Sequence, residues 1–181
     1  LHSPQAIAWA NSSALVGCFL GSLIAGRISD RYGRRAALAI AAMVFAVSSI
    51  LTGWSYGFGA FITWRILGGV AIGLASNISP TYIAEISPAG WRGRLVSLNQ
   101  LALVIGILLA QIANWRIAEP VPAGATEAII AASWNGQLGW RWMFSAVAIP
   151  AVILLICVPL IPESPRWLMT RGRPQDAKAV L

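Results

Sequence analysis

Three groups of polar residues interrupt a sequence that is 57% hydrophobic and only 10% charged. The first is a single residue, Arg65, set inside a long apolar run. An ionisable side chain at membrane depth marks a functional site unless it snorkels up to water. Gly69, Gly73 and Ser76 follow Arg65 at steps of four, four and three, which puts them on nearly the same helical face. A face of small residues packs against a neighbouring helix. Arg65 is therefore expected to point into a bundle, where it needs a carboxylate partner that no apolar stretch of this sequence supplies. The second group is Gln100 and Gln111, with Asn114 beside them. Gln100 and Gln111 are separated by three helical turns with about 20° left over, and Asn114 lies within about 40° of Gln100, so one polar stripe runs up a helix. Amides both donate and accept hydrogen bonds. That suits a sugar hydroxyl, and it equally suits a bond to a neighbouring helix. The third group fills residues 26–35, Gly-Arg-Ile-Ser-Asp-Arg-Tyr-Gly-Arg-Arg. Here Asp30 sits among Arg27, Arg31, Arg34 and Arg35, bracketed by Gly26 and Gly33. A basic loop at a membrane face would need the arginines alone.

The elements that must position these groups are five apolar segments, residues 6–25, 36–54, 58–83, 95–114 and 140–160. At 1.5 Å per residue, about 20 residues cross a hydrocarbon core of roughly 30 Å. The expected fold class is an all-α membrane protein. Residues 26–35 become a tight turn at one membrane face, and residues 53–59 an uncharged aromatic turn at the other. Residues 85–94 form a second short charged loop with Arg92 and Arg94, and residues 115–139 a longer, less basic segment with Glu119, Glu127 and two prolines. Gly17, Gly21 and Ala25, four apart, mark a close helix contact in the first span. Pro150 is expected to kink the fifth. The tail from Pro162 leads into the start of an amphipathic helix.

Thirteen Lys and Arg against six Asp and Glu would suggest nucleic acid in a soluble chain. Here topology explains the excess: ten basic residues fall in loops assigned to one side and only Arg116 and Arg141 in loops on the other. The positive-inside rule then puts the N-terminus outside and the C-terminus in the cytoplasm of a cell-membrane protein. Cys18 and Cys157 lie within apolar segments and read as packing residues, with no metal-ligand spacing. The Asn-x-Ser sequons at Asn11 and Asn77 fall inside spans, where they are not expected to be glycosylated. His2 belongs to no catalytic constellation, and no nucleophile–base pair or metal set lies in any span, so an enzyme is not expected. The opening at Leu1 lacks a charged leader, and an odd number of spans reads as an internal piece that has lost a first helix.

Residues 26–35 meet every fixed position of Gly-x-x-x-Asp-Arg-x-Gly-Arg-Arg, and so resemble the loop between helices 2 and 3 of the major facilitator superfamily. Arg65-x-x-x-Gly69, Pro80-x-Tyr82-x-x-Glu85-Ile-x-Pro88, Arg92-Gly93 and Pro162-Glu-Ser-Pro-Arg-Trp-Leu168 together resemble the sugar porter family within it. Ser97-Leu-Asn-Gln100-Leu and Gly139-Trp-Arg-Trp-Met143 look similar to bacterial pentose–proton symporters. The resemblance implies a partial N-terminal six-helix bundle. Residues 1–161 would be helices two to six, and residues 162–181 the cytoplasmic segment leading to the interdomain helices. It implies sugar binding by Gln100 and Gln111, and proton coupling through Arg65 paired with a first-helix aspartate. Asp30, Arg31, Arg34, Arg35, Glu85 and Arg92 would form a charge network that holds the cytoplasmic side closed. The implied partners are a sugar (hexose or pentose), a proton, membrane lipid, and the first helix and C-terminal half of the same chain, with no cofactor and no nucleic acid. Facilitative sugar, polyol or organic-acid transport, and sugar sensing without transport, remain as alternatives.

Overall fold

The computed structural model describes residues 4–120 and 126–180, so His2 and Pro122 lie outside the described residues. In chain order the helices are α1 (Pro4–Tyr32), α2 (Arg34–Gly53), α3 (Phe58–Ile86), α4 (Arg92–Ile117) and the short α5 (Glu127–Ala132). A π-helical turn (Asn135–Gly139) runs into α6 (Trp140–Ala146), α7 (Ala148–Cys157) and a 3-10 turn (Val158–Leu160). Then come α8 (Pro165–Thr170) and α9 (Pro174–Val180). Five stretches are long and apolar enough to cross a membrane, the fifth being the continuous path Asn135–Leu160.

The spans lie where the apolar runs place them, but their ends do not. Residues 26–35, expected as a loop, are almost wholly helical: α1 continues to Tyr32, α2 begins at Arg34, and Gly33 is the entire link. A helix satisfies its own backbone, so it need not stop where the apolar run stops, and Arg31 in its last turn suits the negative end of the helix dipole. Gly33 takes φ 95°, a conformation that costs glycine little. The loop expected at residues 85–94 shrinks in the same way, with α3 reaching Ile86 and α4 starting at Arg92. The break expected at Pro150 appears at Val147, between α6 and α7. A proline ring clashes with the carbonyl four residues earlier, here Ala146, so the helix is interrupted upstream of the proline itself.

α1 and α3 pack along a glycine seam. A Cβ on Gly17 would stand 2.1 Å from the Ile66 carbonyl oxygen, and one on Gly69 would stand 2.1 Å from that of Ala14. Gly21 and Gly73 make the same reciprocal approach one turn on. The small face foreseen in the first span therefore meets the small face of Arg65, although Ser76 itself is exposed. α2 lies against α3 over a core of Ala25, Ala37, Leu38, Ala41, Leu74, Ile78, Tyr82 and Val158, and against α7 over Ala46, Ala148 and Ala151. α4 differs from the rest: it touches α3 and α6 and buries none of its residues.

Candidate functional site

At the arginine-rich end of the bundle, the one-residue link brings Asp30, Arg34 and the end of α3 together. The Arg34 guanidinium forks onto Glu85, with Nε donating to Oε2 at 3.0 Å and Nη2 to Oε1 at 3.1 Å. Its Nη1 donates to Asp30 Oδ1 at 2.9 Å and to the Ser29 carbonyl at 3.1 Å. A two-pronged arginine–carboxylate pair fixes geometry as well as charge. The Arg34 and Glu85 side chains are 11% and 7% exposed, whereas Asp30 is 72% exposed. This is a largely desolvated pair with a wet flank. Beside it, between α1 and α3, a recess of about 220 Å³ is lined by Ser22, Ser29, Asp30, Arg34, Asn77 and Thr81 among others.

The tail after the fifth span closes over this pair. Glu163 Oε1 accepts from the backbone N–H groups of Arg34 at 2.9 Å, Arg35 at 3.2 Å and Ser164 at 2.9 Å. A carboxylate here satisfies the orphan donors at the start of α2, which Gly33 has no side chain to cap. Gly33 also leaves the room, since a Cβ there would stand 2.3 Å from Glu163 Oε2. Fully buried Ser164 donates its hydroxyl to Glu85 and caps α8 by accepting from the Trp167 N–H. Trp167 Nε1 donates to the Asp30 carbonyl at 2.9 Å, and Arg171 donates to the carbonyls of Asp30 and Arg31. The Tyr82 hydroxyl donates to the Pro162 carbonyl at 2.8 Å. Residues 162–171 thus tie the ends of α1, α2 and α3 into one unit.

Of the charges named from the sequence, Asp30, Arg34 and Glu85 meet through their side chains. Arg35 contributes its backbone N–H, and Arg31 its carbonyl, with its guanidinium over the neighbouring Tyr32 ring. Arg92 is exposed at the start of α4 and makes no ion pair among the described residues. Sequence reasoning missed Tyr82, Glu163, Ser164, Trp167 and Arg171 as members of the cluster. A Ser before Pro signals the start of α8, but no local signal tells which distant groups Glu163 will cap.

Arg65 stands apart, toward the other end of α3. It points into the bundle: Nη2 donates to the Ala10 carbonyl at 3.4 Å, and the guanidinium lies over the Phe144 ring of α6, 5.4 Å from its centroid. Its Nε is buried with no hydrogen-bond partner among the described residues. Gln100 and Gln111 are exposed on α4, and no hydrogen bond among the described residues engages either. Asn114 is half-buried. The polar tie from α4 to α3 is the adjacent Asn99, whose Oδ1 accepts from Ser79 at 3.1 Å.

Residues 2–181 match the family model described as sugar (and other) transporter. The chain is 47% identical over 171 residues to the glucose transport protein of Synechocystis sp. (strain ATCC 27184 / PCC 6803 / Kazusa), covering 94% of this chain and 36% of that one. It is 40% identical over 188 residues to the D-xylose-proton symporter of Escherichia coli (strain K12), with the same coverage of each. The chain thus spans about a third of the length of these relatives. Among solved structures it resembles the major facilitator superfamily proton:xylose symporter XylE bound to 6-bromo-6-deoxy-D-glucose, with a TM-score of 0.88. The identity there is 38%, covering 97% of this chain and 39% of that one. On a match that runs over almost its whole length, the chain belongs to the sugar (and other) transporter family and has the fold of part of a major facilitator.

Proposed function

We propose that this chain is part of a transporter that carries a hexose or pentose across a cell membrane by alternating access, coupled to protons. The observation that carries this reading is the likeness, along nearly the whole chain, to relatives whose names speak of glucose transport and of D-xylose-proton symport. Residues 1–161 supply helices two to six of an N-terminal half, and residues 162–181 the cytoplasmic segment that follows. The arginine-rich end faces the cytoplasm, as the loop arginines favour. The partners are a sugar, a proton, membrane lipid, and the first helix and C-terminal half of the same protein.

In this reading the Arg34 cluster favours one of two states. Asp30, Arg31, Arg34, Arg35, Glu85 and Arg92 act at the cytoplasmic face, and the sugar shifts the populations through its different affinity for each state. Gln100 and Gln111 hydrogen-bond the sugar, and their exposure on a helix with no buried residue leaves them free to do so. Arg65 pairs with a carboxylate on the first helix. An arginine effectively keeps its proton, whereas a carboxylate can gain one, so opening and closing that pair moves a proton.

The test is flux from liposomes holding the complete transporter. Labelled glucose or xylose should accumulate inside under a pH gradient that is acidic outside and exchange in counterflow without one. Sugar binding with neither flux would overturn transport in favour of a sensor. Competition by polyols or organic acids but by no pentose or hexose would overturn the substrate class. Gln100→Ala should cost about 1–3 kcal/mol of sugar binding, a loss of roughly tenfold or more by calorimetry. Unchanged affinity would return Gln100 to helix packing.

A further inference from the structure

We infer that Phe144 is a positioning residue for Arg65: the face of its ring holds the guanidinium while no carboxylate is paired with it. This rests on the proton-switch reading of Arg65 given above. The guanidinium has five N–H donors, yet among the described residues it makes one long hydrogen bond and leaves a buried Nε unpartnered. What it has instead is an aromatic face at 5.4 Å, and such a face attracts a cation most strongly where water is excluded.

The ring is held for the purpose. Phe144 meets Phe61 edge-to-face at 5.7 Å and Trp140 at 6.2 Å, and Phe61 and Trp140 meet at 6.3 Å. Phe61 lies one turn before Arg65 on α3, so the same helix supplies the cation and one wall of its platform. Trp140 is fixed in turn, with its indole N–H donating to the Gly136 carbonyl in the π-helical turn and the Arg141 guanidinium over its ring at 4.7 Å.

Few other charges compete. Among the described residues the ionisable side chains of α1 are Cys18, two turns along the seam from Ala10, and Arg27, Asp30, Arg31 and Tyr32 at the far end. That of α6 is Arg141, which donates to the Gly53 carbonyl. Those of α2, Arg34 and Arg35, the other ionisable groups of α3, Tyr82 and Glu85, and Arg92 and Arg94 of α4 lie at the far end too, and Arg116 is in the last turn of α4.

A ring face accepts no proton and is weakly directional, so Arg65 can leave it for a carboxylate and return. By stabilising the unpaired guanidinium, the ring favours the state in which the carboxylate is protonated. It therefore raises the pH at which the switch takes up its proton. Weakening the ring face should lower that pH.

The experiment reads the pH midpoint of proton-driven sugar uptake by the complete transporter in liposomes. Phenylalanines carrying one, two and three fluorines, incorporated at position 144, drain charge from the ring face at nearly constant shape. The midpoint should fall stepwise along the series, and by about one pH unit in Phe144→Leu. Phe144→Tyr should restore it. A midpoint unmoved through the fluorinated series, while Arg65→Leu abolishes proton-driven uptake, would make Phe144 a packing residue only. Proton-driven accumulation that survives in Arg65→Leu would overturn the switch reading, and the platform with it.

Discussion

Arg34 and Arg65 are the same side chain in opposite circumstances. The Arg34 side chain makes four hydrogen bonds, two of them to one carboxylate, and that carboxylate is itself held by Ser164. Among the described residues the Arg65 side chain makes one, to a carbonyl at 3.4 Å, and rests on a ring. A saturated charge belongs to a closed arrangement that must break several bonds at once to open. A starved charge is free to take a partner. The two ends of α3 thus carry two kinds of charge, one saturated with partners and one nearly bare of them among the described residues.

That contrast can be broken at several points, beginning where the effect is largest. Glu85→Ala should leave the mostly buried Arg34 with Asp30, on its exposed flank, as its remaining carboxylate among the described residues, and destabilise the unliganded complete transporter by about 3 kcal/mol in thermal unfolding. A loss under about 1 kcal/mol would show that the fork is solvated in practice. Gly33→Ala comes next, since a Cβ at φ 95° faces both backbone strain and Glu163. It should cost about 1–3 kcal/mol by the same measurement. Arg65→Leu should change stability by less than about 1 kcal/mol although it removes a charge from inside the bundle, because a carboxylate left without it can take up a proton. A loss as large as that of Glu85→Ala would mean that the carboxylate stays ionised and the pair is no proton switch. Arg92→Ala is the smallest, within about 0.5 kcal/mol, as for an exposed charge without a described partner. A larger cost would place Arg92 inside the cluster.

Legibility in the sequence followed the range of the forces involved. The five spans could be read because burial in lipid demands an unbroken apolar run, and Arg65 because it breaks one. The Gly17 and Gly69 faces could be read from four-residue spacing, and the structure presses them together to near backbone contact. Helix ends could not, because a helix at a membrane face has no reason to stop at its first arginine. Tyr32 and Ile86 therefore remain helical. Glu163 illustrates the deeper limit. Its oxygen caps Arg34 across 129 residues of chain, and only the assembled bundle brings that carboxylate to that helix start. Phe144 is similar: nothing near it in sequence says that a cation will lie on its face.

The seam between α1 and α3 also has a mechanical meaning. Where the glycines meet, no side chain stands between these two helices, so they cannot shear past each other there without driving backbone into backbone, and they move as one lever. Arg65 and Glu85 are both carried on α3, twenty residues or about 30 Å apart. A displacement at one end must therefore arrive at the other almost undiminished. α3 carries one proline along this length. Pro80 has no N–H to return to the Ser76 carbonyl, and it sits beyond the last glycine of the seam and just short of Glu85. Beyond Pro80 lie the Tyr82 bond to Pro162 and the Glu85 bond to Arg34, so a bend there would bear on both.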